Sequence, residues 1–282
     1  MVELKIFIYY ASWLTFPLLV WAISKKYLIV SLLSLLFIYA RFIEPQLLLV
    51  HHYKINTGFQ AKYALIGDLH LGIYNDASIL QKAVEKIEQL DVDALLIAGD
   101  FIYEPNPNKL KNLFAPLQNL SIPIYAVLGN HDCIGSGASI RKELEAVLAE
   151  LGVTLLTNKA IELESVTLLG LGSRFAHEDR VALLDNYSKE DNLVVLTHNP
   201  DTALDFQPNH TPDLTLTGHT HGGQIRIPYL YKKVIPVEGV VPWDKGLSHY
   251  KNGQVFITSG IGSIGLPLRF LIPPTIDVLT LH

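Results

Sequence analysis

The stretch LTGHTHGGQI at residues 216–225 sets His219 and His221 two apart between Gly218 and Gly222, directly after an apolar run. Alternate residues of an extended segment point to one side, which would carry both imidazoles into one space. The same arrangement, an apolar run ending in a polar ligand type, recurs through the chain. YALIG runs into Asp68 and His70, ALLIAG into Asp100, IYAVLG into Asn130, His131 and Asp132, and LVVLT into His198. Imidazole nitrogen mixed with carboxylate and amide oxygen suits manganese, iron, cobalt or zinc without choosing among them. Singly these residues have plainer readings: Asp68 and Asp100 as helix caps, Asn130 as a turn residue, a histidine as a satisfied core or surface side chain. So many runs ending this way exceed what capping and turns produce, and a metal site is expected. His51, His52, His177, His210, His249 and His282 fall outside the pattern and read as surface residues, and Cys133 reads as small core packing.

Residues so far apart in the chain need a scaffold that brings them together. Short runs rich in Val, Ile and Leu alternate with helix-like stretches: ASILQKAVEKIEQL follows the first, NKLKNLFAPLQNL the second and ASIRKELEAVLAEL the third. Continuous apolar strands between amphipathic helices indicate a buried sheet with helices packed on it, an α/β fold. In open α/β sheets ligands bind beyond the carboxyl ends of the strands, where these polar residues sit. Gly67, Gly99, Gly129 and Gly218 permit the sharp turns and close approach that such a crevice needs. VTLLGLG, LVVLTH, LTLTGH, QVFITSG and IDVLTL follow with few long helices between them, so the second half is expected to be richer in strands.

The chain of 282 residues is 49% hydrophobic and 17% charged, apolar for a soluble protein. The excess lies at the start: residues 6–24 carry no charge, and neither do residues 27–40. A helix needs about 20 apolar residues to span a bilayer, so residues 1–50 are expected to be a membrane-embedded helical segment. A hairpin turning at Lys25 and Lys26 is favoured, with one span plus an interfacial helix as the alternative. A cleaved signal is disfavoured by the long apolar region and by the lack of a small-residue cleavage site before Lys25. The catalytic domain is expected over residues 60–282, with the boundary between Lys54 and Lys62. A net charge of −5 without any dense basic run argues against nucleic acid as a partner.

The ordered set D-x-H, G-D, G-N-H-D, H, G-H-x-H resembles that of the calcineurin-like metallophosphoesterases. The tail motifs GHTHGGQIRIP and SGIGSIGLPLRFLIPPTIDVLTL are similar to those of a membrane-associated bacterial branch that includes UDP-2,3-diacylglucosamine pyrophosphatases and related phosphodiesterases. The resemblance implies a four-layer αββα sandwich and two divalent metal ions, with manganese the first expectation. It implies that Asp68, His70 and His221 hold one ion, that Asn130, His198 and His219 hold the other, and that Asp100 bridges both. Two cations with only two carboxylates keep a net positive charge that attracts a phosphate, and a pair about 3.5–4 Å apart can activate water for in-line attack on phosphorus. The resemblance casts His131 as the residue that contacts the phosphoryl oxygen and helps protonate the leaving group, with Asp132 orienting it. The expected substrate is a phosphate ester, most specifically the pyrophosphate of the lipid-linked nucleotide UDP-2,3-diacylglucosamine, cleaved to the acylated sugar 1-phosphate and UMP. A broad phosphodiesterase or phosphatase is the alternative, and an inactive scaffold is disfavoured by the complete ligand set. The location implied is the inner membrane, with the catalytic domain cytoplasmic. Arg174, Arg226, Lys232, Lys233 and Arg269 are available to a substrate phosphate or an anionic membrane surface, but each taken singly reads as a solvated surface charge.

Overall fold

The computed structural model describes every residue except Met1, Ser136, Val234, 239–243 and 251–252. Its helices are α1 (Val2–Ala11), α2 (Thr15–Ser24), α3 (Leu28–Ile38), α4 (Ala77–Ile87), α5 (Leu110–Phe114) and α6 (Gly137–Glu150). The strands are β1 (Leu49–Ile55), β2 (Ala61–Ile66), β3 (Leu71–Gly72), β4 (Ala94–Ile97), β5 (Ile102–Tyr103), β6 (Ile124–Ala126) and β7 (Val153–Leu155) in the first half. They continue as β8 (Lys159–Leu163), β9 (Val166–Gly170), β10 (Leu193–Leu196), β11 (Leu214–Thr217), β12 (Gly246–Tyr250), β13 (Gly253–Ile257) and β14 (Thr275–Leu281).

Two six-stranded sheets result, ordered β1-β14-β2-β4-β6-β7 and β12-β13-β11-β10-β9-β8, beside a small β3-β5 pair. The pairs β2-β4, β4-β6 and β6-β7 are parallel in the first sheet, as are β13-β11, β11-β10 and β10-β9 in the second. Alternation along each strand sorts the core into layers. Ala64, Ile66, Leu95, Ile97 and Ala126 face a cluster shared with α4, α5 and α6, including Leu80, Phe114 and Leu148. Leu65, Leu96 and Tyr125 meet Val194, Leu196, Leu216 and Phe256 between the sheets. On the outer face of the second sheet, Leu193 and Val195 pack with Leu184, Ala203 and Phe206. Leu184 and Ala203 come from the 3-10 turns Val181–Asn186 and Pro200–Asp205, and Phe206 directly follows the second. The expected four-layer sandwich is thus present, with a fourth layer made of short turns. The second helical stretch is also broken: a 3-10 turn holding Pro116 takes over directly after α5, since proline cannot continue the ladder.

Two N-terminal helices, Val2–Ser24 and Leu28–Gln46, are long and apolar enough to cross a membrane. They fold back on each other at Lys25 and Lys26, where Lys26 takes a left-handed φ of 59°. Ser12, Ala22, Ser31, Ser34 and Ala40 are buried, while Leu14, Val20, Leu28 and Ile29 are exposed. Small residues thus lie where the helices are covered, and large apolar ones where they are not. The first sheet begins at Leu49, ahead of the expected domain start at residue 60, because β1 pairs in parallel with β14 along its length. An edge strand of mixed composition, LVHHYKI, carries too little apolar alternation to be recognised in sequence.

Candidate metal centre

The strand ends deliver the polar residues to one crevice. Asp68 and His70 follow β2, Asp100 follows β4, Asn130 and His131 follow β6, His198 follows β10, and His219 with His221 follow β11. The backbone there is unusual: Asp68, His70, Asp100, His219 and His221 all have positive φ, between 44° and 72°. Left-handed conformations are costly for residues with a Cβ and concentrate at functional sites. The HTH segment is accordingly not extended as expected. Its left-handed turns at both histidines send His219 and His221 to two neighbouring groups. Space for the carboxylates comes from glycine: a Cβ on Gly129 would lie 2.1 Å from Asp100 Oδ1, and Gly99, at φ +81°, would crowd Gly129 and the His198 ring.

Asp68, His70 and His221 form one buried group, and Asp100, His198 and His219 a second, each with its donor atoms within 4.8 Å of one another. Asn130 joins the second, its Oδ1 lying 3.1 Å from His198 Nε2. Asp100 Oδ2 sits between the groups, 3.4 Å from His70 Nε2 and 3.3 Å from His198 Nε2. His70 Nε2 faces His221 Nε2 at 3.0 Å, and His198 Nε2 faces His219 Nδ1 at 3.1 Å. For ligands about 2.1 Å from a metal, elementary geometry makes the edges of octahedral and tetrahedral shells roughly 3.0 and 3.4 Å, so these spacings fit two cations. The tautomers fit as well. His198 Nδ1 meets the Ala98 carbonyl at 2.7 Å and His219 Nε2 the Pro236 carbonyl at 3.0 Å. A carbonyl only accepts, so each of these nitrogens donates, leaving the other ring nitrogen as a lone-pair ligand.

Burial leaves three of the four histidines free of charge. Burial drives His70 and His219 down to about 3 and His221 well below its ordinary value, so all three imidazoles are neutral. His198 is the exception: burial opposes its charge, but Asp100 and Asp68 lift it to about 9. Burial would raise Asp100, yet His198, His70 and His131 hold it well below the carboxylate range. Burial pushes Asp68 up to about 7, and the His219 N–H donates to both of its oxygens at 3.0 Å.

His131 lines the cleft over these groups. Its N–H donates to Asp100 Oδ1 at 2.9 Å, and its ring stands edge-on to His70 and Tyr103. Burial lowers its pKa. Asp132, expected to orient His131, reaches into the backbone: Oδ1 accepts the N–H groups of Phe101 and Ile102, and Oδ2 that of Gly129. It thereby fastens the Asp100 loop to the loop that carries Asn130 and His131. Arg269, expected on the surface, is buried and donates to the carbonyls of Ser259, Gly260, Gly262 and Ile272. Arg174 and Arg226 are engaged with Asp205 and Asp244. His210 is buried on Asp185 at 2.9 Å rather than exposed.

The cleft of about 590 Å³ above the Asp/His groups has walls that strand-end reasoning missed: Phe175, Ile225, Pro236, Ile264 and Leu266. Their signal was the pair of tail motifs, which contain Ile225, Ile264 and Leu266. A larger cavity of about 970 Å³, lined by Lys62, Asp93 and Glu162 among others, contains none of the residues of the two Asp/His groups.

Two adjoining Asp/His groups at the strand ends of an α/β sandwich could hold a pair of metal ions. The calcineurin-like phosphoesterase model matches residues 61–223, and the chain belongs to that family, whose members hydrolyse phosphoesters. It is 31% identical to an uncharacterized metallophosphoesterase of Helicobacter pylori over 79% of this chain, and spans 60% of that relative's length. It is 30% identical to the uncharacterized metallophosphoesterase YkuE of Bacillus subtilis, over 86% of this chain and 88% of the relative. With the UDP-2,3-diacylglucosamine pyrophosphatase LpxG of Chlamydia muridarum it shares 26% identity, over 89% and 94% of the two chains.

Proposed function

We propose that this protein is a membrane-attached, manganese-dependent phosphohydrolase that cleaves the pyrophosphate of an acylated nucleotide sugar of the UDP-2,3-diacylglucosamine kind. The observation that carries the reading is the apolar wall of a cleft whose floor is His131, Asp100, His219 and His221. A nucleotide or sugar alone gains little from Ile225, Ile264 and Leu266, whereas an acyl chain does. The two exposed apolar helices and the similarity to LpxG support the same substrate class.

Asp68, His70 and His221 would hold one ion, and Asn130, His198 and His219 the other. When bound, the ions polarise phosphoryl oxygens and lower the pKa of water. Asp100 keeps its carboxylate anionic between the groups and holds their separation. His131 hydrogen-bonds a non-bridging oxygen and, protonated in the complex with an anionic substrate, returns a proton to the leaving group. Asp132 is a positioning residue. The hairpin returns the catalytic domain to the side of the membrane where the chain starts, which we assign to the cytoplasm.

Full-length protein supplied with Mn²⁺ should release UMP from UDP-2,3-diacylglucosamine in mixed micelles. Turnover of a soluble diester without UMP release would leave a general phosphodiesterase. Protease accessibility of an epitope after His282, compared in inverted and right-side-out vesicles, tests the orientation.

A further inference from the structure

Apart from His219 and His221, the metal ligands leave the tail motifs unexplained. In the fold they become two loops tied to each other and to the hairpin. Ile225 bridges Phe270, with the Arg226 N–H on the Phe270 carbonyl at 2.8 Å and the Phe270 N–H on the Gln224 carbonyl at 3.0 Å. Gln224 also clasps the second loop through Ile264 and Leu266. That loop is fixed to the end of the hairpin: the Arg269 N–H donates to the Ala40 carbonyl, and the buried Glu44 carboxylate accepts the N–H groups of Leu271 and Ile272. The rim of the cleft is therefore continuous with the place where the second apolar helix meets the catalytic domain.

This rim is apolar where it faces outward. Tyr229 is 92% exposed, Leu230 55%, Leu271 53% and Leu266 43%, with Ile227 beside them. Large exposed apolar side chains gathered on two loops that are tied together beside a polar site mark an interaction surface. Lys232 and Lys233 follow at once and are exposed. An aromatic and aliphatic tip followed by lysines is the composition of a segment lying in an anionic membrane interface.

We propose that the loops at residues 225–233 and 264–271 form a rim that inserts into the surface of an anionic bilayer, so that the metal cleft opens onto lipid. The proposal rests on the membrane attachment argued above but not on the identity of the substrate. It makes the hairpin and the rim two contacts with one membrane, which fixes the orientation of the cleft as well as its location.

The test uses the full chain in nanodiscs of mixed phosphatidylcholine and phosphatidylglycerol. Tyr229→Trp should gain fluorescence that lipids brominated in the upper part of their chains quench beyond the native background. Lys189→Trp, placed ahead of β10 at the opposite end of the strands from the metal ligands, should gain fluorescence that they do not quench. Equal quenching at the two positions overturns the rim. In the second arm, Tyr229→Asp combined with Leu230→Asp should lower turnover of UDP-2,3-diacylglucosamine held in the nanodisc about tenfold or more, with hydrolysis of bis-p-nitrophenyl phosphate unchanged. Equal loss on both substrates assigns these residues to the integrity of the site and overturns the proposal. Should the native protein turn over neither substrate, the proposed function fails, and the quenching comparison still decides the rim.

Discussion

Asp100 does with one side chain what no neighbour can replace: Oδ2 stands between His70 and His198 while Oδ1 holds the His131 N–H. Asp100→Ala should therefore lose bound metal, measured by elemental analysis, together with nearly all activity. His131→Ala should keep the metal content and lose turnover by about 10²–10⁴, the usual worth of a positioned acid. Equal metal loss in the two variants would remove His131 from its role. Asp132 is a different case. An amide in its place keeps one acceptor and turns an NH₂ onto backbone donors, so Asp132→Asn should cost about 1–3 kcal/mol of stability, read by denaturant unfolding. The ligand types were legible in sequence because they stand at the ends of apolar runs. The work of Asp132 was not, since nothing in NHD says that the backbone of Phe101 and Ile102 lies beside it.

At the scale of elements, β14 joins β1 in parallel and β2 in antiparallel pairing, and it buries a carboxylate. Burial pushes Asp277 from 3.8 up to about 7, against hydrogen bonds from Thr258 and Thr275, and its Oδ2 has no hydrogen-bond partner. A raised acid pKa means the folded state keeps a proton that the unfolded chain releases. Stability from this group therefore falls as the pH rises from about 4 to about 7 and stays low above that. Asp277→Asn should be more stable than the native chain above pH 7 by up to about 4 kcal/mol, with the difference vanishing near pH 4. Thermal unfolding of both forms across that range checks it, and a constant difference would assign the effect to packing instead. Such an aspartate inside IDVLTL cannot be told from a solvent-facing one by alternation alone. The buried strands β2, β4, β6, β10 and β11 were legible because both faces are covered and the runs are uninterrupted, whereas edge strand β1, with two histidines and a lysine, was not.

For the molecule as a whole, the question is whether the hairpin only tethers the domain. The two Asp/His groups all lie from Asp68 onward and the first sheet starts at Leu49, so the sandwich has its core without the hairpin. The contacts across the junction combine polar pairs with a stacked pair of rings, Tyr9 on Tyr74. Lys5 pairs with Glu104 at 2.7 Å, Arg269 meets Ala40, and Glu44 caps Leu271 and Ile272 beside the buried Arg269 guanidinium. Two truncations should therefore differ. A chain beginning at Leu47 should fold, bind metal and hydrolyse a soluble diester, but with a lower melting temperature, because Glu44 no longer holds the loop at Leu271. A chain beginning at Arg41 keeps Glu44 and should melt higher. Replacing Glu44 by Ala in that longer chain should return it toward the shorter one, by about 1–3 kcal/mol for a lost charge-assisted contact to backbone N–H groups. Identical melting of all three forms would reduce the hairpin to a tether. Failure of the chain starting at Leu47 to fold at all would make the hairpin part of the domain.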